Sequence, residues 1–102
     1  MAVKWADKLI DAVRFNSKRT HIDFVRARKD LGEHIAVETE ALARATVIAQ
    51  IRAGTTFMTI FKDGTSWKKG ALVRIIRIGN EDFLKTVADN TPKDNLDNLP
   101  EF

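Results

Sequence analysis

Apolar and polar positions alternate with a period near two through most of the chain, and with a period near three and a half through one internal stretch. In residues 9–15 Leu9, Val13 and Phe15 share one parity, and the segment runs into the turn-forming run Asn16-Ser17-Lys18-Arg19. Residues 20–28 place Ile22 and Phe24 on one parity and His21, Asp23 and Val25 on the other. Two strands joined by a four-residue turn are therefore expected to pair as an antiparallel hairpin.

After the polar stretch 29–34 the period changes. Leu42, Ala45, Ile48 and Ile51 recur every three residues, Val47 widens the stripe, and five alanines fall between 39 and 53. This spacing predicts a helix over 39–53, with Thr39 capping its start, Glu40 complementing the positive end of its dipole and Gly54 ending it. Beyond it, 55–61 alternates again, Asp63-Gly64 marks a tight turn, and 65–69, 71–78 and 82–87 read as strands, the last two joined by Gly79-Asn80-Glu81. A long helix across 71–86 would fit Leu72, Ile75, Ile76 and Leu84, but Gly79-Asn80 interrupts it. The predicted order is β-β-α-β-β-β. This is an α+β domain with an antiparallel sheet of four or five strands, the helix on one face and the other face at least partly wet. From residue 88 onward the chain is rich in Asp and Asn and poor in strand formers. The stretch 88–102 is expected to be irregular yet docked on the domain, with Asp94, Asn95, Leu96 and Leu99 as its anchors.

The chain has 102 residues, of which 30% are charged and 44% hydrophobic. One domain with one core is expected from that length and composition. The absence of cysteine excludes disulfides, thiolate metal sites and a cysteine nucleophile. Residues 3–8 are already charged and carry no apolar leader pattern, and no run approaches a bilayer span, so a cytoplasmic protein without membrane contact is expected. Residues 1–81 hold 15 basic and 9 acidic side chains, and residues 82–102 hold 2 and 5. An acidic tail lying across a basic body accounts for that split, as does a polyanionic partner.

The C-terminal region carries the most specific signal. Phe83-Leu84-Lys85-Thr86-Val87-Ala88-Asp89, then Asp94-Asn95-Leu96 and Leu99-Pro100-Glu101, resembles the ending of a small bacterial family catalogued as domain of unknown function 3892. The upstream layout is similar too: Ile10 with Val13, Ile22 with Val25, Ile51 to Gly54, and Phe57 with Thr59. Where that family often has a cysteine after Pro-Glu, this chain has Phe102. The resemblance implies a compact single domain and a bacterial source, and it carries no activity with it.

Candidate chemistry is sparse. His21 and His34 are the only histidines, Ser17 and Ser66 the only serines, and there is no tyrosine, no Gly-x-Ser-x-Gly and no phosphate-cradling glycine loop. Both histidines are read as structural, and no enzyme activity or cofactor is expected. Asp89, Asp94 and Asp97 with Asn90, Asn95 and Asn98 offer many oxygens. Counted from Asp94, however, Leu96 falls where a calcium loop needs a ligand, so no metal is expected. Arg19, Arg26, Arg28, Lys29, Lys68, Lys69, Arg74 and Arg77, with Trp67 beside the lysine pair, could form a nucleic-acid or polyanion surface. Eight aromatics exceed what one helix can cover, so some must be exposed among the arginines. That composition makes contact with another protein, or self-association, the leading expectation, with nucleic acid second.

Overall fold

The computed structural model of the chain describes residues 4–18, 20–32, 34–86, 94, 96 and 99–102. Its elements are β1 (Lys8–Phe15), β2 (Ile22–Lys29), β3 (Glu40–Ala43), α1 (Arg44–Arg52), β4 (Phe57–Asp63), β5 (Ser66–Leu72), β6 (Arg74–Ile78) and β7 (Glu81–Lys85). Five strands form one sheet in the order β3-β2-β1-β4-β5, and β6 with β7 form a separate two-stranded sheet. The class is α+β with one helix, as the periodicity predicts, but the main sheet is mixed rather than antiparallel. β1 and β4 run parallel, with Lys8 opposite Phe57 and Ile10 opposite Thr59. The chain between β2 and β4 passes through β3 and α1, a connection long enough to re-enter the sheet on the far side of β1 in the same direction.

A reciprocal clamp sets that parallel register. Asp7 N donates to Thr56 Oγ1 at 2.9 Å, Thr56 N donates to the Asp7 carboxylate at 3.0 Å, and Lys8 N donates to Thr56 O at 3.1 Å. The bonds from the Thr56 amide and hydroxyl hold the Asp7 carboxyl below its ordinary pKa.

The predicted helix over 39–53 is divided. Its first part is β3, where Leu42 lies opposite Val25 and Glu40 opposite Ala27, and only the second part is helical. Alanine permits either state, so pairing with the free edge of β2 decides it. Thr39 therefore caps nothing in the helix. The N-cap is Ala43, which makes no side-chain capping bond, and the first turn holds no acidic residue. Glu40 instead accepts from Lys8 Nζ at 3.2 Å. The far end follows expectation. Gly54, at φ +104°, lets its own N–H reach Ile51 O at 3.0 Å and the N–H of Thr55 reach Gln50 O at 2.9 Å, which closes the helix.

The β1–β2 connection spans residues 16–21, two longer than predicted, because Asn16 builds the turn: its Oδ1 accepts from Thr20 N at 3.0 Å and its N–H donates to His21 O at 2.9 Å. Gly64 and Gly79, with φ of +66° and +63°, open the two-residue loops of the β4–β5 and β6–β7 hairpins. The tight turn after Asp63 is thus Gly64-Thr65. The predicted strand 71–78 is broken at Val73, whose side chain is buried and whose N–H bonds Phe57 O at 2.9 Å before the chain leaves the sheet. Gly70 sits in a bulge facing Thr59, where an added Cβ would stand 2.6 Å from the Thr59 carbonyl oxygen.

The main core lies on the helix side of the sheet. Ile10, Val13, Ile22, Val25 and Phe57 from the sheet meet Val47 and Ile48 from α1, Leu84 from β7, and Leu96. Asp94 is buried beside them: Ile22 N donates to Oδ2 at 2.7 Å, Leu84 N to Oδ1 at 2.8 Å, and Arg44 Nε to Oδ2 at 2.8 Å. Leu99 packs on the same cluster, and residues 100–102 run parallel beside Val13 through Val13 N to Pro100 O at 3.0 Å and Phe102 N to Val13 O at 3.1 Å. Asn95 lies outside the described residues.

Leu96→Ala is expected to cost about 2–5 kcal/mol of folding stability, the range for a fully buried leucine. Asp94→Ala, which strands Arg44 and two amides, should cost about 3–5 kcal/mol. Chemical denaturation of the two variants measures both losses, and an unshifted midpoint in either would contradict this packing. Gly70→Ala is expected to cost about 1–3 kcal/mol, because the obstacle is backbone and cannot swing away; the same titration reads it.

Candidate binding face

The face of the sheet away from α1 is only partly covered. A small apolar cluster of Ala6, Leu9, Met58 and Ile60, joined by Trp5, Ile35 and Trp67, occupies part of it. The remainder follows from register, since directly opposed residues share a face. Arg28 stands opposite Leu9, Arg26 opposite Ala12 and Phe24 opposite Arg14, and across β2 Ala41 and Ala43 face Arg26 and Phe24. On the other side of β1, Lys62 pairs with Trp67 and Ile60 with Lys69. Five cations and an exposed phenylalanine thus share one surface.

Asp11 organises the centre of that surface. The β1–β2 register shifts between Ile10 and Ala12, which places Asp11 at the irregularity with its carboxylate fully buried. Arg26 Nε donates to Oδ1 at 2.8 Å and Arg28 Nε to Oδ2 at 2.7 Å. Arg28 is fixed further by Nη1 donating to Val37 O at 2.9 Å. Its guanidinium lies 5.2 Å from the Trp67 ring centroid, and Lys62 Nζ lies 4.4 Å from the same centroid. Phe102 has a similar setting, with Arg14 at 4.9 Å and Arg26 at 5.8 Å from its ring, and Arg14 Nε donating to its carbonyl oxygen at 2.8 Å. Cations on aromatic faces keep both partners oriented.

The β1–β4 ladder ends at Ile10 and Thr59. Past that point lies a cleft of about 290 Å³ lined by Asp11, Arg26, Phe61, Lys62, Trp67 and Pro100. A second depression of about 320 Å³, lined by Ala27, Lys29, Ala36, Glu38, Thr39 and Glu40, mixes one cation with two carboxylates.

The basic residues expected to form a polyanion surface divide among several places. Arg26, Arg28 and Trp67 meet around Asp11, and Lys69 shares their face. Lys68 lies opposite Phe61, on the reverse face of its strand, and Lys29 lies opposite Lys8, whose ammonium reaches Gln50 of α1 at 3.0 Å. Arg74 and Arg77 belong to the separate β6–β7 hairpin, where Arg77 is 3.5 Å from Asp82. Arg19 lies outside the described residues. Sequence reasoning missed Asp11, Arg14, Phe24, Lys62 and Phe102 as members of the face. One signal was available: a lone carboxylate between Ile10 and Ala12 in an apolar strand needs buried cationic partners.

His21 sits in the β1–β2 turn rather than on a strand. Its ring stacks on Phe83 at 5.4 Å, Nδ1 is 3.0 Å from Thr20 Oγ1, and Nε2 meets Glu81, so it ties the turn to β7. His34 is exposed, and its carbonyl accepts from Leu31 N at 3.0 Å. Among the described residues no three His, Asp or Glu side chains are grouped to hold a metal, and no helix is long and apolar enough to cross a membrane.

These features define a small α+β domain whose mixed sheet keeps one cationic, aromatic face. The chain belongs to a family of proteins of unknown function, DUF3892, whose model matches residues 9–100. No curated protein and no solved structure matches it.

Asp11→Ala is expected to lower stability by about 1–3 kcal/mol, the worth of its charged hydrogen bonds; the freed guanidinium groups can turn toward water, which limits the loss. Thermal unfolding measures this. A change in the environment of Trp67, read by indole NMR, should accompany it as Arg28 loses its anchor.

Proposed function

We propose that this protein is a non-catalytic module that binds another protein, or a second copy of itself, through the cationic and aromatic face of its sheet. The observation that carries this reading is the row Phe24, Arg14, Arg26 and Phe102: Phe24 is 40% exposed on β2, among arginines fixed by Asp11 and Phe102. Aromatic and arginine side chains are enriched in protein contacts, and strands present them without loop ordering. The non-catalytic part rests on the poor supply of nucleophiles and on the engagement of His21 in a turn.

Nucleic acid is the second reading, favoured by the shared face of Arg14, Arg26, Arg28, Lys62 and Lys69. Against it, Trp67 and Phe102 already carry cations over their rings, where a stacked base would have to lie.

Sedimentation velocity over a concentration series, with amide shift mapping, tests the proposal. The expected result is association that perturbs Phe24, Arg26 and their neighbours and is lost in Phe24→Asp without a change in melting temperature. Retention on heparin with a steep salt dependence, and no protein association, would transfer the function to polyanion binding.

A further inference from the structure

We infer that the cleft between β1 and β4 receives an acidic segment of a partner protein that inserts one aromatic or leucine side chain. This rests on the protein-contact reading and names the partner's chemistry.

Electrostatics gives the first argument. Among the described residues that line the cleft Asp11 is the only carboxylate, and both of its oxygens are already committed to Arg26 and Arg28. Three cations therefore stand at or beside the cleft against one neutralised acid, and Lys69 adds a fourth on the same face. Arg26 spends only Nε on Asp11, and among the described residues no acceptor takes its two Nη groups. That end of a guanidinium is the geometry that holds a carboxylate with two parallel bonds. Lys62 meets the Trp67 ring at 4.4 Å, and among the described residues no carboxylate pairs with its ammonium.

Shape gives the second. A volume of about 290 Å³ lies just below the roughly 300–1,000 Å³ typical of ligand pockets. It has room for one or two side chains and not for a nucleotide cofactor. Its walls include Trp67, Phe61 and Pro100, of which Phe61 is 49% exposed. An apolar side chain entering between the strands would pack against Phe61 and Pro100 while an adjacent Asp or Glu met Arg26 and Lys62. Charge complementarity thus selects an acidic partner over a basic one.

A random peptide library displayed on phage and selected against the full chain tests this, with Lys62→Glu as the counter-target. Lys62 is exposed, so the reversal leaves the core intact. The expected result is enrichment of peptides pairing Asp or Glu with Phe, Trp or Leu, bound roughly tenfold or more weakly by Lys62→Glu and weakened by salt. Enriched peptides without acidic residues, equal binding to both proteins, or no enrichment would each overturn the inference. If Phe24→Asp abolishes self-association while the library yields nothing, the contact face stands and the cleft's occupant is wrong. Selective capture of a single-stranded oligonucleotide that depends on Lys62 would overturn both.

Discussion

A buried carboxylate must find donors or be neutralised, and Asp94 meets that demand by drawing together three parts of the chain. Its oxygens take the amide of Ile22 at the start of β2, the amide of Leu84 in β7 and the guanidinium of Arg44 at the start of α1. The consequence for the helix is direct. α1 begins with a cation at its positive end and has no side-chain cap, an arrangement that the dipole disfavours. Asp94 supplies the missing negative charge from the tail. The β6–β7 hairpin depends on the same group, because it shares no ladder with the main sheet. Its attachment includes Leu84 in the core with Ile75 packed against it, the Asp94 bond, Arg44 on the Asp82 carbonyl, Arg52 on the Asp82 carboxylate, and the contact of His21 with Phe83 and Glu81.

Two buried carboxylates thus serve opposite faces of one sheet. Asp94 accepts backbone amides as well as a guanidinium, so it fixes main chain and closes the fold. Among the described residues Asp11 accepts only from Arg26 and Arg28, so it fixes side chains and leaves the Nη groups of Arg26 near the surface. The difference in partners explains why one site is structural and the other presents charge.

Elements whose information is local were legible in the sequence. The β1–β2 hairpin, the glycine loops at Gly64 and Gly79, the stop at Gly54 and the inward turn of Leu96 each follow from a few adjacent residues. What needed distant residues was not. The parallel pairing of β1 with β4 rests on Asp7 and Thr56, 49 positions apart, and alternation specifies a strand's two faces without naming its neighbour. Residues 40–43 carry a helical spacing that continues into α1, and only the open edge of β2 makes them a strand. Asp94 stands among asparagines and reads as a turn residue until Arg44 is seen beside it. The candidate face was legible in its residue types but not in its membership, because the registers that unite Arg26 with Trp67 and remove Arg74 and Arg77 are tertiary facts.

The way the cations are held bears on what the face can recognise. Arg28 is restrained by Asp11, by the Val37 carbonyl and by Trp67, so it has little rotamer freedom left to lose on binding. Arg26 is held at one nitrogen, and Lys62 and Lys69 project from an exposed hairpin. Restraint therefore falls from β2 toward the β5 edge of the sheet. On the proposed binding role, a partner would meet the less restrained charges first, which steers encounter, and the fixed guanidinium geometry second, which discriminates. Asp11 contributes to that gradient unequally: without its buried charge Arg26 would lose its hydrogen-bond anchor, while Arg28 would keep the Val37 carbonyl and the Trp67 ring.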